Sequence, residues 1–180
     1  VDSSFGDDYM CELALPNKEI SFVYRKEILQ KLNNIIPQAT VISVQEAIYS
    51  GNGNRIQKLI HDLLLQSASS FDTVGENFYH GFMLGLCSML SGSYTTSNRE
   101  SGEGRYDIQL MPKTPSLPGI LIELKAEKHC SQEKLSQLAE VALKQINDNK
   151  YELEMVTKGI RTIFKYGVAF SGKNVSVSVG

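Results

Sequence analysis

Apolar positions recur with helical spacing in the first half of the chain and run continuously or alternate in the second. Residues 11–15 (CELAL) read as a short strand ending at Pro16. Asn17 can then cap a helix carried by Ile20, Val23, Ile28 and Leu32 that stops at Pro37. Ser43 followed by Glu46 has capping-box spacing and predicts a short helix ending at the turn Gly51-Asn52-Gly53. Ile56, Leu59, Ile60, Leu63 and Leu64 then make one stripe of an amphipathic helix. The small polar stretch Gln66 to Ser70 is the expected hinge between a helical lead-in (residues 1–65) and a main domain (66–180).

Beyond that hinge Val74, Phe78, Phe82, Leu86 and Leu90 predict a further helix. Tyr94 to Asn98 reads as a strand, followed by a loop over Arg99 to Gly104. Tyr106 to Met111 and Gly119 to Ala126 are strands joined through Pro112, Pro115 and Pro118. Leu135, Leu138, Ala142 and Ile146 mark a helix capped at Ser131, and Gly159 ends a last helical turn. Strands around Tyr166–Phe170 and Val175–Val179 flank the turn Ser171-Gly172-Lys173-Asn174. Helix, three strands, helix, two strands is the order of an α/β domain with a mixed sheet covered on both faces.

Composition narrows the class. With 42% hydrophobic and 21% charged residues, the 180-residue chain can bury a core of ordinary size. A net charge of -2 excludes a strongly basic protein but leaves room for a local cationic groove. Three cysteines without paired spacing (Cys11, Cys87, Cys130) give no disulfide framework or zinc ribbon, which points to the reducing cytoplasm. No signal-peptide core opens the chain. Its longest apolar stretch, Phe78 to Leu90, is about 13 residues and too short to cross a membrane. Because the chain begins without methionine, it is expected to be a piece of a longer one.

Candidate chemistry concentrates on Gly119-Ile-Leu-Ile-Glu-Leu-Lys-Ala126. So apolar a strand should be central and buried, yet Glu123 and Lys125, two apart, point to one face. Buried charges must be paired or must bind something. Two readings fit: a buried ion pair, or part of a metal site. The preceding strand supplies Asp107. Two carboxylates and a lysine converging on one sheet face suit a hard divalent cation such as Mg²⁺, which takes one or two carboxylates plus a phosphate oxygen. The cation would neutralise a scissile phosphate and lower the pKa of a bound water, while the lysine orients that water or stabilises developing charge.

Other residues have two readings each. Glu76 has capping-box spacing from Thr73, so it is either a helix cap or a third acid near the metal. His80, one turn on, is either packed or a phosphate contact, since no second histidine stands at ligand spacing. Gln145 falls on the apolar face of its helix, where it can reach the site. Arg99 and Arg105 bracket a glycine-containing loop beside Asp107 as phosphate contacts, and Cys87 reads as a packed thiol.

Asp107 followed by Glu123-Leu124-Lys125 resembles the Asp…(Asp/Glu)-x-Lys core of the PD-(D/E)XK nuclease superfamily. Four further blocks are similar to the branch found C-terminal to AAA-ATPase-like proteins: Glu76 to Phe82, Ser97 to Asp107, Ala142 to Ile146 and Gly167 to Lys173. The Leu15-Pro-Asn-Lys-Glu-Ile20 segment resembles the tail joining such an ATPase to its nuclease. The resemblance implies a restriction-endonuclease-like three-layer α/β/α core and Mg²⁺-dependent phosphodiester cleavage, with Mn²⁺ as a substitute and DNA as the expected substrate. Asp107 and Glu123 would be metal ligands, Lys125 the catalytic lysine, Glu76 the first-helix acid, and the Leu124 carbonyl a further ligand. Two departures stand out: Tyr106 occupies the usual proline position, and Gln145 with Tyr151 only approximates the glutamine–tyrosine motif of RecB-like members. No P-loop is present, so an ATPase would lie elsewhere in a longer chain. The competing function is a nuclease-like module that binds nucleic acid or a protein partner without cutting.

Overall fold

The structure, a computed structural model, describes residues 36–66, 76–101 and 104–180. The side chains of residues 76–77, 98–101 and 104–105 fall outside that description. The strand and helix expected between residues 11 and 36 and the hinge at 67–70 also lie outside the described residues.

Helix α1 spans Gln38–Tyr49 and begins five residues before the capping box at Ser43. The cause is Pro37, which the sequence pattern reads as a stop. Proline has no backbone N–H, but none is needed at a helix start, and the Pro37 carbonyl accepts the first helical bonds from Thr40 (2.9 Å) and Val41 (3.2 Å). Gly51, at φ 70°, ends the turn after α1 as expected. Helix α2 (Gly53–Gln66) buries Ile56, Ile60, Leu63 and Leu64, the predicted stripe.

Helix α3 (Glu76–Ser88) carries Tyr79, Met83, Leu86 and Cys87 into the core. Phe78 and Phe82, expected at its centre, are only partly buried and stack on each other at the margin, with ring centroids 6.3 Å apart. Leu86 and Leu90 of the predicted stripe are buried, but earlier in the helix the buried face is turned by one residue to Tyr79 and Met83, because Tyr79 stacks on Phe170 of the sheet with centroids 4.5 Å apart.

Five strands form one sheet in chain order: β1 (Ser93–Ser101), β2 (Gly104–Pro112), β3 (Gly119–Ala126), β4 (Ile163–Ser171) and β5 (Asn174–Val179). Every neighbouring pair is antiparallel except β3 and β4, which are parallel and register Glu123 opposite Gly167. That parallel pair needs a crossover. Helix α4 (Gln132–Asp148) and the short α5 (Leu153–Thr157) supply it. Ser131 caps α4 as predicted, its hydroxyl accepting from the Lys134 N–H at 3.2 Å. The loop expected over Arg99 to Gly104 is instead mostly strand, with Arg99 opposite Tyr106 and Glu100 opposite Arg105.

The sheet divides the core in two. Ile120, Ile122 and Leu124 of β3 and Tyr166, Val168 and Phe170 of β4 pack with α1, α2 and α3. On the other face Leu121 meets Ile146 of α4, and Ala169 meets Leu135 and Ala139. The result is the expected mixed sheet between helical layers. Odd-numbered positions of β3 face α4, so the alternation that buries Leu121 also turns Glu123 and Lys125 towards that helix.

Candidate active site

The β2–β3 ladder runs from Leu110 opposite Ile120 to Ile108 opposite Ile122 and goes no further. Strand β2 alters its pleat there: Tyr106 and Ile108, two residues apart, join core clusters on opposite faces. Asp107 lies between them, and its Oδ2 accepts the Leu124 N–H at 2.8 Å. A carboxylate therefore takes the place of the next backbone rung. In an extended strand the N–H and C=O of one residue point to the same edge, so the Leu124 carbonyl also faces the gap that β2 has left. His80 braces this break from α3, with Nε2 3.2 Å from the Asp107 carbonyl. A carbonyl can only accept, so Nε2 carries the proton and donates.

Glu123 is 3% exposed. Its Oε1 takes two donors: the Gln145 amide, in a short hydrogen bond, and the Lys125 ammonium at 3.4 Å. Lys125 Nζ lies closer to Gln145 Oε1, at 2.8 Å. These contacts fix the amide orientation of Gln145, oxygen to the ammonium and nitrogen to the carboxylate. The simple ion-pair reading is thus modified, since the lysine's nearest partner is an amide. Its side chain keeps 29% exposure and can reach solvent.

The other oxygen, Glu123 Oε2, is buried with no hydrogen-bond partner among the described residues. Burial, reinforced by the nearby Asp107 charge, pushes the Glu123 carboxyl up to about 7, and Lys125 offsets this only in part. Lone buried carboxylate oxygens are costly and call for a partner. Two carboxylates and a backbone carbonyl are all hard oxygen donors, the set that Mg²⁺ accepts alongside waters and a substrate phosphate. No group of three or more His, Cys, Asp or Glu side chains that could hold a metal occurs among the described residues. The fit therefore rests on Asp107, Glu123 and the Leu124 carbonyl.

The structure brings together Asp107, Glu123, Leu124, Lys125, Gln145 and His80. Glu76 is the first residue of α3, and Arg99 and Arg105 lie on the β1–β2 hairpin next to the Asp107 break; the side chains of all three lie outside the described residues. Tyr151 is apart from the site, buried edge-on against Tyr106 with centroids 6.2 Å apart. Cys87 is fully buried and its thiol is pushed up to about 12 by that burial, an inert packed group.

Gly167, opposite Glu123, matters in a way that periodicity did not reveal. A Cβ there would collide with the Ala139 carbonyl and the Leu143 N–H of α4. The bare backbone lets α4 approach closely enough for Gln145 to reach Glu123. A glycine inside an apolar strand is the signal that could have exposed it.

Comparison with known proteins bears on the same segment. The family model of the PD-(D/E)XK nuclease superfamily matches residues 74–179, which take in α3 and all five strands. No curated protein and no solved structure matches the chain. The matched residues comprise the whole mixed sheet, the strand break at Asp107 and the Glu123-Leu124-Lys125 run, and the chain belongs to the PD-(D/E)XK nuclease superfamily.

Proposed function

We propose that this chain is a metal-dependent nuclease that hydrolyses phosphodiester bonds, with DNA as its substrate. Membership of a nuclease superfamily gives the reaction class. The observation that carries the metal reading is the orphaned, buried Oε2 of Glu123 beside the carboxylate of Asp107. A divalent cation there would lower the pKa of a bound water and offset charge on the scissile phosphate. Asp107 Oδ1, Glu123 Oε2 and the Leu124 carbonyl are the protein atoms that would hold it. Mg²⁺ is the expected ion and Mn²⁺ its substitute, while Ca²⁺, larger and looser in geometry, should support binding with little turnover.

The residues divide the work. Lys125 supplies a partly exposed ammonium at the rim, able to hold the attacking water or neutralise charge on the phosphoryl oxygens. Gln145 bridges Lys125 and Glu123, accepting from the ammonium and donating to the carboxylate. His80 and the Leu124 N–H hold Asp107 from its backbone and its side chain respectively. Arg99 and Arg105 belong to this reading as phosphate contacts and Glu76 as a third acid; an ATPase region in a longer chain and a cytoplasmic location complete it. No described helix is long and apolar enough to cross a membrane.

The test incubates the protein with single- and double-stranded DNA and RNA in Mg²⁺, Mn²⁺, Ca²⁺ or EDTA. Cleavage in Mg²⁺ and Mn²⁺, abolished by EDTA and by Lys125→Ala, is expected. Mn²⁺ affinity by calorimetry should survive in Lys125→Ala and be lost in Asp107→Ala, since an ammonium cannot ligate a cation. Cutting that persists in EDTA contradicts the metal reading. Binding without cutting under every condition favours the silent-module alternative.

A further inference from the structure

A second polar concavity lies at the same end of the sheet. It measures about 340 Å³ and is lined by Asn54, Gln57, Lys58 and His61 of α2, Gln132 at the start of α4, and Asn174 with Val175 of β5. Because β3 and β4 are parallel, the turn after β4 and the loop after β3 leave the sheet together. The Glu127 N–H donates to the Phe170 carbonyl at 3.0 Å, and the Cys130 N–H donates to Ser171 Oγ at 3.3 Å. The concavity therefore lies at the same end of the sheet as Glu123 and Lys125, by strand β5. Strand β5 is two strands from β3, about 10 Å at ordinary strand spacing. That separation is about three nucleotides at the ~3.4 Å spacing of stacked bases and fewer where an unpaired strand is extended.

Its chemistry selects a ligand class. Lys58, the one ammonium of the lining, is largely exposed and paired with Asp62 at 2.6 Å, so the lining concentrates no positive charge for a phosphate. Four of the seven lining residues are side-chain amides, groups that donate and accept side by side. Gln57 Oε1 accepts the Val177 N–H at 3.1 Å, which leaves its NH₂ to donate. His61 Nδ1 lies 2.8 Å from the Lys173 carbonyl and must donate to it, so Nε2 of the neutral ring is an acceptor. Paired amide donors and acceptors beside a flat imidazole suit the edge and face of a nucleobase. We propose that this concavity is a base-reading subsite that takes one unpaired nucleobase of the substrate strand, a few nucleotides from the scissile bond. The inference rests on the nuclease reading for its ligand class.

Fluorescence anisotropy in Ca²⁺ tests it, using a single-stranded oligonucleotide in which one abasic site is moved along the strand. In wild type, one abasic position should weaken binding about tenfold, the scale of one lost bidentate base contact, while its neighbours have little effect. Gln132→Ala and Asn174→Ala, both at exposed positions, should remove that position dependence while leaving the affinity for the abasic strand unchanged. A flat abasic scan in wild type, absent binding, or a scan unchanged in both variants overturns the subsite. Failure here while Mg²⁺-dependent cutting persists leaves the nuclease reading standing. A position-dependent scan without cutting means the reverse.

Discussion

Burial and the neighbouring Asp107 both oppose charge on Glu123, and that gives the metal-free protein a pH signature of its own. An unfolded glutamate titrates near 4.5, while folding pushes this one up to about 7. The folded state thus holds a proton that the unfolded state has released. Stability from this group is fully present below about pH 4.5 and is lost as the pH rises through about 7, at no more than roughly 1.4 kcal/mol per pH unit. Denaturant unfolding of wild type and Glu123→Gln in EDTA across that window isolates the residue. Wild type should lose stability relative to the variant as pH rises. A difference that stays level, or grows in favour of wild type, would mean that Lys125 keeps Glu123 ionised throughout.

At the scale of elements, the site depends on a helix pressed onto a glycine. Gly167→Ala would drive α4 away from β4, since the new methyl meets backbone atoms rather than a movable side chain. Overpacking of this kind costs roughly 1–3 kcal/mol, and the displaced helix would carry Gln145 away from Glu123 and Lys125. Thermal unfolding and cleavage measured on the same preparation should both fall, with cleavage reduced well beyond the unfolded fraction. Full activity in a destabilised variant would show that Gln145 is dispensable.

What could be read from sequence followed local regularity. The apolar run Gly119 to Ala126 announced β3 at its observed limits, and period two placed Glu123 and Lys125 on one face. The approach of Asp107 could not be read in that way, because β2 breaks its pleat at the very residue that matters, and an unbroken alternation would group Tyr106 with Ile108. The sequence offered that aspartate as a second carboxylate from the preceding strand, and the resemblance gave it the role of a ligand, but neither showed how it meets β3. Gln145 was visible as a polar residue on an apolar helix face, but its two partners depend on how closely α4 lies against β4. Pro37 misled for a related reason: a proline fits the start of a helix as well as the end of one.

Considered whole, the molecule sets an acid pair at the point where its sheet parts, between a helical layer that braces Asp107 through His80 and another that orients Lys125 through Gln145. The central claim is that Asp107 and Glu123 await a cation, and that Glu123 is not merely a structural partner for Lys125. Denaturant unfolding of wild type and Glu123→Gln, each in EDTA and in saturating Mg²⁺ at mildly alkaline pH, tests this most directly. Mg²⁺ should stabilise wild type by about 2.7 kcal/mol at a hundredfold excess over its Kd, and the variant should show no such gain. In EDTA the variant should equal or exceed wild type, because neutralising one acid relieves the repulsion from the other. A loss of roughly 3–5 kcal/mol in EDTA, with no Mg²⁺ effect on wild type, would contradict the account and make Glu123 a structural counter-ion.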